Sequence, residues 1–251
     1  DLCVFTRAMI LTCCMEKFSY VSTTDTRRKF GLITLQSDET IEDDMRKLLP
    51  SDVSLLVSRV PSGQEVSLES LQGMTKHLTA AASLFPRGLC FDVVGYGCTS
   101  GTSQIGAQRI ASLVREGTET NRVTEPLSAL IAVCKFARVK RLAILSPYIA
   151  MVSTKLCKVL EEQGVSTTIF GSFAEPNEAR VVSIDNASII SAATKLVKNI
   201  KVDALFLSCT NLRTLDAVGP LVKVLGIPVF SSNLVLAWHM LGSKNPPWDL
   251  L

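Results

Sequence analysis

Histidine is nearly absent from this chain of 251 residues: only His77 and His239 occur, each inside a helical pattern. The eight cysteines form no Cys-x-x-Cys pair and show no Cys/His ligand spacing, so no metal site is expected. They lie mostly within apolar segments rather than in the short, loop-rich setting of a disulfide framework, which points to a reducing, cytoplasmic environment. No apolar run reaches the ~18–20 residues that a membrane span requires. Charge of one sign is also lacking. The net charge is +3 with acids and bases interspersed, which leaves no footprint for nucleic acid or a membrane surface. The densest basic run, Arg27-Arg28-Lys29, reads as a solvated lead-in to a strand.

What the chain does have is hydrophobic content, 47%, enough to bury a large core. Unbroken apolar runs at Phe30–Leu35, Val53–Val60, Leu89–Tyr96, Arg141–Ser146, Val165–Phe170, Asp203–Ser208 and Ile227–Ser231 read as parallel strands covered on both faces. Helical patterns alternate with them: Thr40–Leu49, Leu68–Leu84, Gln104–Arg115 and Glu125–Ala137, then Ala150–Gln163, Asn186–Ile200, Leu215–Leu225 and Asn233–Leu241. The alternation predicts an α/β fold of two pseudo-symmetric doubly wound lobes, with ligands binding beyond the carboxyl ends of the strands. Residues 1–29 are set apart as a poorly ordered or vector-derived leader, with an apolar patch at Ala8–Cys14 and Met15 as an alternative start. The first lobe is expected to comprise 30–120 with 232–251 and the second 121–231, the polar stretch Gly117–Thr124 marking the boundary.

Two segments look like copies of one another. Phe91–Tyr96 breaks at Gly97-Cys98-Thr99-Ser100-Gly101, and Ala204–Ser208 breaks at Cys209-Thr210-Asn211; the two cysteines stand 111 residues apart. The same offset separates Ile33 from Ile144, in the first strand of each half. A duplicated α/β unit places equivalent loops around one cleft, so the repeat predicts two thiols facing one substrate. A thiol at a helix N-terminus is expected to have a lowered pKa. Cys98 and Cys209 should therefore alkylate faster than Cys90, Cys134 or Cys157, which read as small core hydrophobes. The N–H groups of those turns, the hydroxyls of Thr99, Ser100 and Thr210, and the amide of Asn211 could hold a carboxylate or an oxyanion. One sulfur would then remove a proton from a carbon, or add to it, and the other would deliver a proton from the opposite face. Tyr148 and Asp38 also follow strands, though Tyr148 reads equally as the anchor of a helix start and Asp38 reads rather as the cap of the helix at Thr40–Leu49.

These motifs, with Ser146-Pro147-Tyr148, resemble the aspartate/glutamate racemase superfamily, in the branch of maleate cis–trans isomerase, arylmalonate decarboxylase and the racemase-like proteins of ectoine utilisation. The resemblance covers about Phe30 to Leu241. It implies a cofactor-independent isomerase or racemase acting on a small carboxylate between Cys98 and Cys209, with self-association allowed. It further implies that Tyr148 binds a substrate carboxylate. A binding asparagine of the isomerases corresponds to Asp38, a departure that counts against maleate as substrate, and a second one is matched to Asn177. Arylmalonate decarboxylases share the second motif but lack the first cysteine, which ranks decarboxylation through Cys209 second. A carboxylate-binding protein without turnover is the third reading.

Overall fold

The computed structural model describes residues 17–251, so the apolar patch at Ala8–Cys14 and Met15 lie outside the described residues. The Ser/Thr-rich tract at 19–26 is exposed and outside any helix or strand. Beyond it the chain forms two four-stranded parallel sheets. The first contains β1 (Arg28–Leu35), β2 (Val53–Val60), β3 (Val93–Gly97) and β4 (Val123–Thr124), in the order β2-β1-β3-β4. The second contains β5 (Arg141–Ser146), β6 (Ser166–Ser172), β7 (Ala204–Leu207) and β8 (Val229–Ser231), in the order β6-β5-β7-β8. The second order repeats the first with each strand replaced by its counterpart, which gives the predicted pseudo-symmetric α/β architecture.

The helices are α1 (Ile41–Leu48), α2 (Leu68–Gly73), α3 (Leu78–Ala82), α4 (Thr99–Ile105), α5 (Ala107–Gly117) and α6 (Pro126–Phe136) in the first part of the chain. They continue as α7 (Ala150–Glu162), α8 (Glu178–Val181), α9 (Asn186–Val197), α10 (Leu215–Leu225) and α11 (Ser232–Met240). Among the described residues, no helix is long and apolar enough to cross a membrane.

Burial explains the sequence pattern. The inner strands β1, β3, β5 and β7 are apolar and buried along almost their whole length, because helices cover both faces. The edge strand β6 alternates exposed and half-buried residues instead. Local chemistry sets many of the helix boundaries. Glu125 caps α6 by accepting from Leu127 N and Ser128 N, with Pro126 in the first turn, and Gly226 ends α10 in a left-handed conformation.

Several expected boundaries are corrected. The single helix expected at Leu68–Leu84 is broken into α2, a 3₁₀ turn at Met74–Lys76, and α3. Gly106, at φ 94°, separates α4 from α5, a backbone conformation open to glycine. The strand expected from Leu89 begins at Val93. The polar stretch read as a connector contains β4, whose Val123 and Thr124 pair with Val94 and Gly95. Two residues are too few for any periodicity to show.

In each sheet the crossovers run in opposite directions on either side of the first strand, so β1/β3 and β5/β7 are the topological switch points. A crevice forms there at the carboxyl ends. Asp38 follows β1, Cys98 follows β3, Tyr148 follows β5 and Cys209 follows β7.

Packing between α5 and α3 is close enough to require glycine at its tightest point. A Cβ on Gly117 would lie 2.3 Å from the carbonyl oxygen of Thr79 and 2.7 Å from Ala82 Cβ. Gly117→Ala is expected to cost about 1–3 kcal/mol through overpacking, a fall of several degrees in melting temperature. Gly73→Ala, in helical backbone at φ −57° at the end of α2 and with nothing within 4 Å of a new Cβ, is expected to gain about 0.4–1 kcal/mol by reducing the freedom of the unfolded chain. Scanning calorimetry of the two variants checks both signs.

Candidate active site

The two cysteine loops meet. Leu35, Cys98, Thr99 and Ser100 from the first half line one cavity, and Tyr148, Glu178, Cys209, Thr210 and Asn211 from the second half close it. The space among them is about 10 Å³, room for roughly one water molecule. Both thiols are buried, at 5% and 4% exposure. A larger apolar groove of about 410 Å³, beside Ile227, Phe230 and Trp248, contains neither thiol and no titratable side chain.

Cys98 stands as the cap of α4: its Sγ accepts from Gly101 N at 3.1 Å and its carbonyl accepts from Thr102 N. Cys209 is held differently. Its backbone has φ 134°, a sparsely populated conformation for a non-glycine residue that costs about 1–3 kcal/mol and must be imposed by its surroundings. Part of that imposition comes from Ser232 Oγ, which accepts from Cys209 N at 3.0 Å and shares a 2.7 Å hydrogen bond with Thr99 Oγ1. The second thiol motif therefore does not open a helix as expected, since α10 begins only at Leu215.

Across the second wall runs a directed hydrogen-bond chain. Tyr148 Oη donates to Glu178 Oε1 at 2.6 Å and lies 3.0 Å from Cys209 Sγ. A phenol has one proton to give, so the thiol is the donor in the second bond and the order is Cys209 to Tyr148 to Glu178. Asn211 Nδ2 donates to the other oxygen, Glu178 Oε2, at 2.7 Å. Thr210 donates to the carbonyl of Gly97 across the halves at 3.2 Å.

Two expected binding residues sit outside this lining. Asn177 caps α8, accepting from Arg180 N, and its neighbour Glu178 reaches the cavity in its place. Sequence reasoning missed Glu178, whose only signal was its position next to Asn177 in a polar loop after β6. Asp38 takes the capping role, its Oδ1 accepting from Thr40 N and Ile41 N at 2.9 Å. Its Oδ2 is buried without a partner. Among the described residues, no cluster of three or more His, Cys, Asp or Glu could hold a metal ion.

The expected activation of the thiols is also corrected. Burial pushes Cys98 up to about 12, against the lowering effect of its bond from Gly101 N, and the charges of Glu178 and Asp38 push it further. Burial likewise raises Cys209 well above the ordinary thiol value, with Glu178 again adding to the rise and Tyr148 opposing it. Desolvation exceeds the benefit of backbone N–H groups because it acts on the whole thiolate charge. Glu178 and Tyr148 are raised by burial as well. In the closed cavity both thiols hold their protons. Among the described cysteines, iodoacetamide at neutral pH is accordingly expected to label exposed Cys90 first and buried Cys98 and Cys209 more than about a hundredfold more slowly. Peptide mapping over a time course measures this, and rapid labelling of either cavity thiol would contradict the closed, protonated state.

The geometry can be set beside known proteins. The family described as arylmalonate decarboxylase matches residues 79–247. The maleate isomerase of Geobacillus stearothermophilus is 24% identical over 235 residues, 86% of this chain and 92% of that protein. Among solved structures, the maleate isomerase Iso of Pseudomonas putida superposes with a TM-score of 0.77 at 20% identity, covering 86% of this chain and 92% of that one. A cysteine-to-serine mutant of Nocardia farcinica maleate cis-trans isomerase, with a covalently bound succinylcysteine intermediate, superposes at 0.74 with 22% identity over 86% of this chain and 92% of its own. At these identities the structures share the fold. The family match spans most of this chain, including both thiol motifs, and the chain belongs to the arylmalonate decarboxylase family, among relatives of the aspartate/glutamate racemase-like superfamily that include maleate isomerases.

Proposed function

We propose that this protein is a cofactor-independent isomerase or racemase acting on a small carboxylate held between Cys98 and Cys209. The observation that carries the reading is that both thiols line one cavity between the two halves, one at each switch point. In the proton-transfer form, one sulfur enters as thiolate and takes the proton from the carbon next to the carboxylate. The C–H electron pair moves into the carboxylate as an enediolate. The opposite thiol returns a proton to the other face and becomes the thiolate. In the addition form, the thiolate bonds to one carbon of a C=C unit and the electron pair again moves into the carboxylate. Rotation about the resulting single bond and loss of the C–S bond then complete a cis–trans change. Either route conserves protons and electrons without a further reactant. Thr99, Ser100 and Thr210, with the N–H groups of the two turns, would hold the carboxylate, Asn211 would hold Glu178 in place through its amide, and Tyr148 would hold or relay the proton of Cys209.

The protonated thiols and the small cavity give the reading a further requirement: the halves must part to admit substrate, and one thiol must lose its proton after that. The two sheets are separate, and the hydrogen bonds that cross between the lobes, among them Thr210 to Gly97 and Glu39 N to Asn211, come from loops and side chains rather than from a shared strand ladder, which suits a hinged opening. Within the same proposal the lobes are 30–120 with 232–251 and 121–231, except that β4 passes from the second to the first, whose sheet it completes, and the setting is reducing and cytoplasmic, in keeping with five free described cysteines.

The family match keeps a decarboxylase in view, with Cys209 alone protonating an enediolate left by carbon dioxide. Single substitutions separate the two. Cys98→Ser and Cys209→Ser keep the shape but replace each thiol with a hydroxyl of far higher pKa. For the two-thiol enzyme both are expected to lower turnover by about 10²–10⁴-fold or more. For the decarboxylase only Cys209→Ser would. Proton NMR of candidate acids in deuterated buffer reads both outcomes: exchange at the α-carbon without loss of carbon dioxide marks racemisation, a cis–trans change of an unsaturated acid marks the addition form, and near-wild-type turnover in both variants would overturn the two-thiol mechanism.

A further inference from the structure

We infer that Glu178 makes the site selective for an acid that carries an ammonium group and turns it against dicarboxylates of the maleate type. The inference rests on the two-thiol reading only for the place where substrate sits.

A site for two carboxylates needs hydrogen-bond donors, or cations, on both walls. On the second wall the neutral side-chain oxygen and nitrogen donors are the Tyr148 hydroxyl, the Asn211 amide and the Thr210 hydroxyl; the first two are spent on Glu178, at 2.6 and 2.7 Å, and the third donates to the Gly97 carbonyl at 3.2 Å. The protein's own carboxylate occupies the position in which those groups would grip a second carboxylate of the substrate. Asn211 has nothing left over, because its Oδ1 already accepts from Glu39 N and its Nδ2 also meets the Glu178 carbonyl.

Charge points the same way. None of the residues lining the cavity is Lys, Arg or His. Arg59 lies closest to this region by its bonds, and it donates to the main-chain oxygens of Leu35, Gln36 and Asp38 and to Glu42. Behind the lining, Asp38 adds a second carboxyl, 2% exposed, with Oδ2 unpartnered. A dianion entering here would meet carboxyl groups without a cation between them. An ammonium group would meet acceptors: an ionised carboxylate offers about four lone-pair positions, and Tyr148 and Asn211 use two of those on Glu178. A hydroxyl could use the same acceptors, but only a cation offsets the charge of Glu178 and Asp38. The same cation would ease the deprotonation of the thiols, since those two carboxyls are among the groups that hold the thiols protonated.

The test is calorimetric titration of the full chain with three sets of probes: a panel of α-amino acids in both enantiomers, the 2-hydroxy acids of matching side chain, and maleate. A charge-assisted hydrogen bond discriminates by about ten- to a hundredfold. The expected result is that at least one amino acid binds tenfold or more tightly than its hydroxy counterpart and than maleate. In Glu178→Gln, which keeps the shape and removes the charge, that preference is expected to shrink at least tenfold while maleate gains. Binding of maleate at least as tight as that of every amino acid, failure of all amino acids to bind, or an unchanged preference in the variant would each overturn the inference. Should the variant not fold, the wild-type comparison decides alone. The outcome is separable from that of the proposed reaction. Amino-acid binding without α-deuterium exchange would remove the isomerase and keep the role of Glu178, whereas turnover of maleate would do the reverse.

Discussion

One side chain ties the two halves of this molecule together at the point where they must work. Asn211, on the loop after β7, accepts from Glu39 N through Oδ1 and from the Thr40 hydroxyl through its main-chain carbonyl, both on the loop after β1. Its amide meanwhile holds Glu178 of its own half. Buried polar groups of this kind must be paired or they destabilise the fold, so the position of each half fixes the other. Thr210 to Gly97 and Cys209 N to Ser232 extend the same seam, and Asn233 reinforces it from behind by donating to the Thr210 carbonyl and to Asp44. The strained backbone of Cys209 is tolerated because this network holds both sides of it.

The seam also explains the electrostatics. Cys98, Cys209, Tyr148, Glu178 and Asp38 are acidic groups crowded into a nearly dry space, and burial is the leading cause of the raised pKa of every one. Even Asp44, behind the site, is pushed up to about 6. With no cation among the lining residues, the closed state favours protonated thiols, while Glu178 keeps two donors on its carboxylate. A hydrogen-bond chain from Cys209 through Tyr148 to Glu178 gives one thiol a path along which a proton could leave once the local charge changes. Ligand entry and thiol ionisation are thus coupled by the same desolvation, and neither can be read from the thiol loops alone.

Much of the architecture is legible in the chain itself. Seven of the eight strands announce themselves as apolar runs, since a parallel strand covered on both faces must be apolar throughout. The repeat offset and the matched cysteine turns are enough to suggest two related halves with Cys98 and Cys209 at corresponding strand ends. Tyr148 and Asn211 follow from the same rule, because their loops leave the carboxyl ends of inner strands. What stayed hidden was short or irregular: the two residues of β4, the break at Gly106, and the one-residue difference between Asn177 and Glu178 in a loop without period.

Local periodicity and turn chemistry are enough to say which segments are buried, that the strands run parallel, and which loops carry thiols. The surroundings of each functional atom, and the order of strands in each sheet, emerge only on folding. Asp38 turned its Oδ1 to the first turn of α1, Glu178 entered the cavity in place of Asn177, and the thiols became harder to ionise rather than easier. The reason is physical. Solvent exclusion and charge at Cys98 and Cys209 come from atoms contributed by both halves, more than a hundred residues apart in places, and desolvation acts through space rather than along the chain.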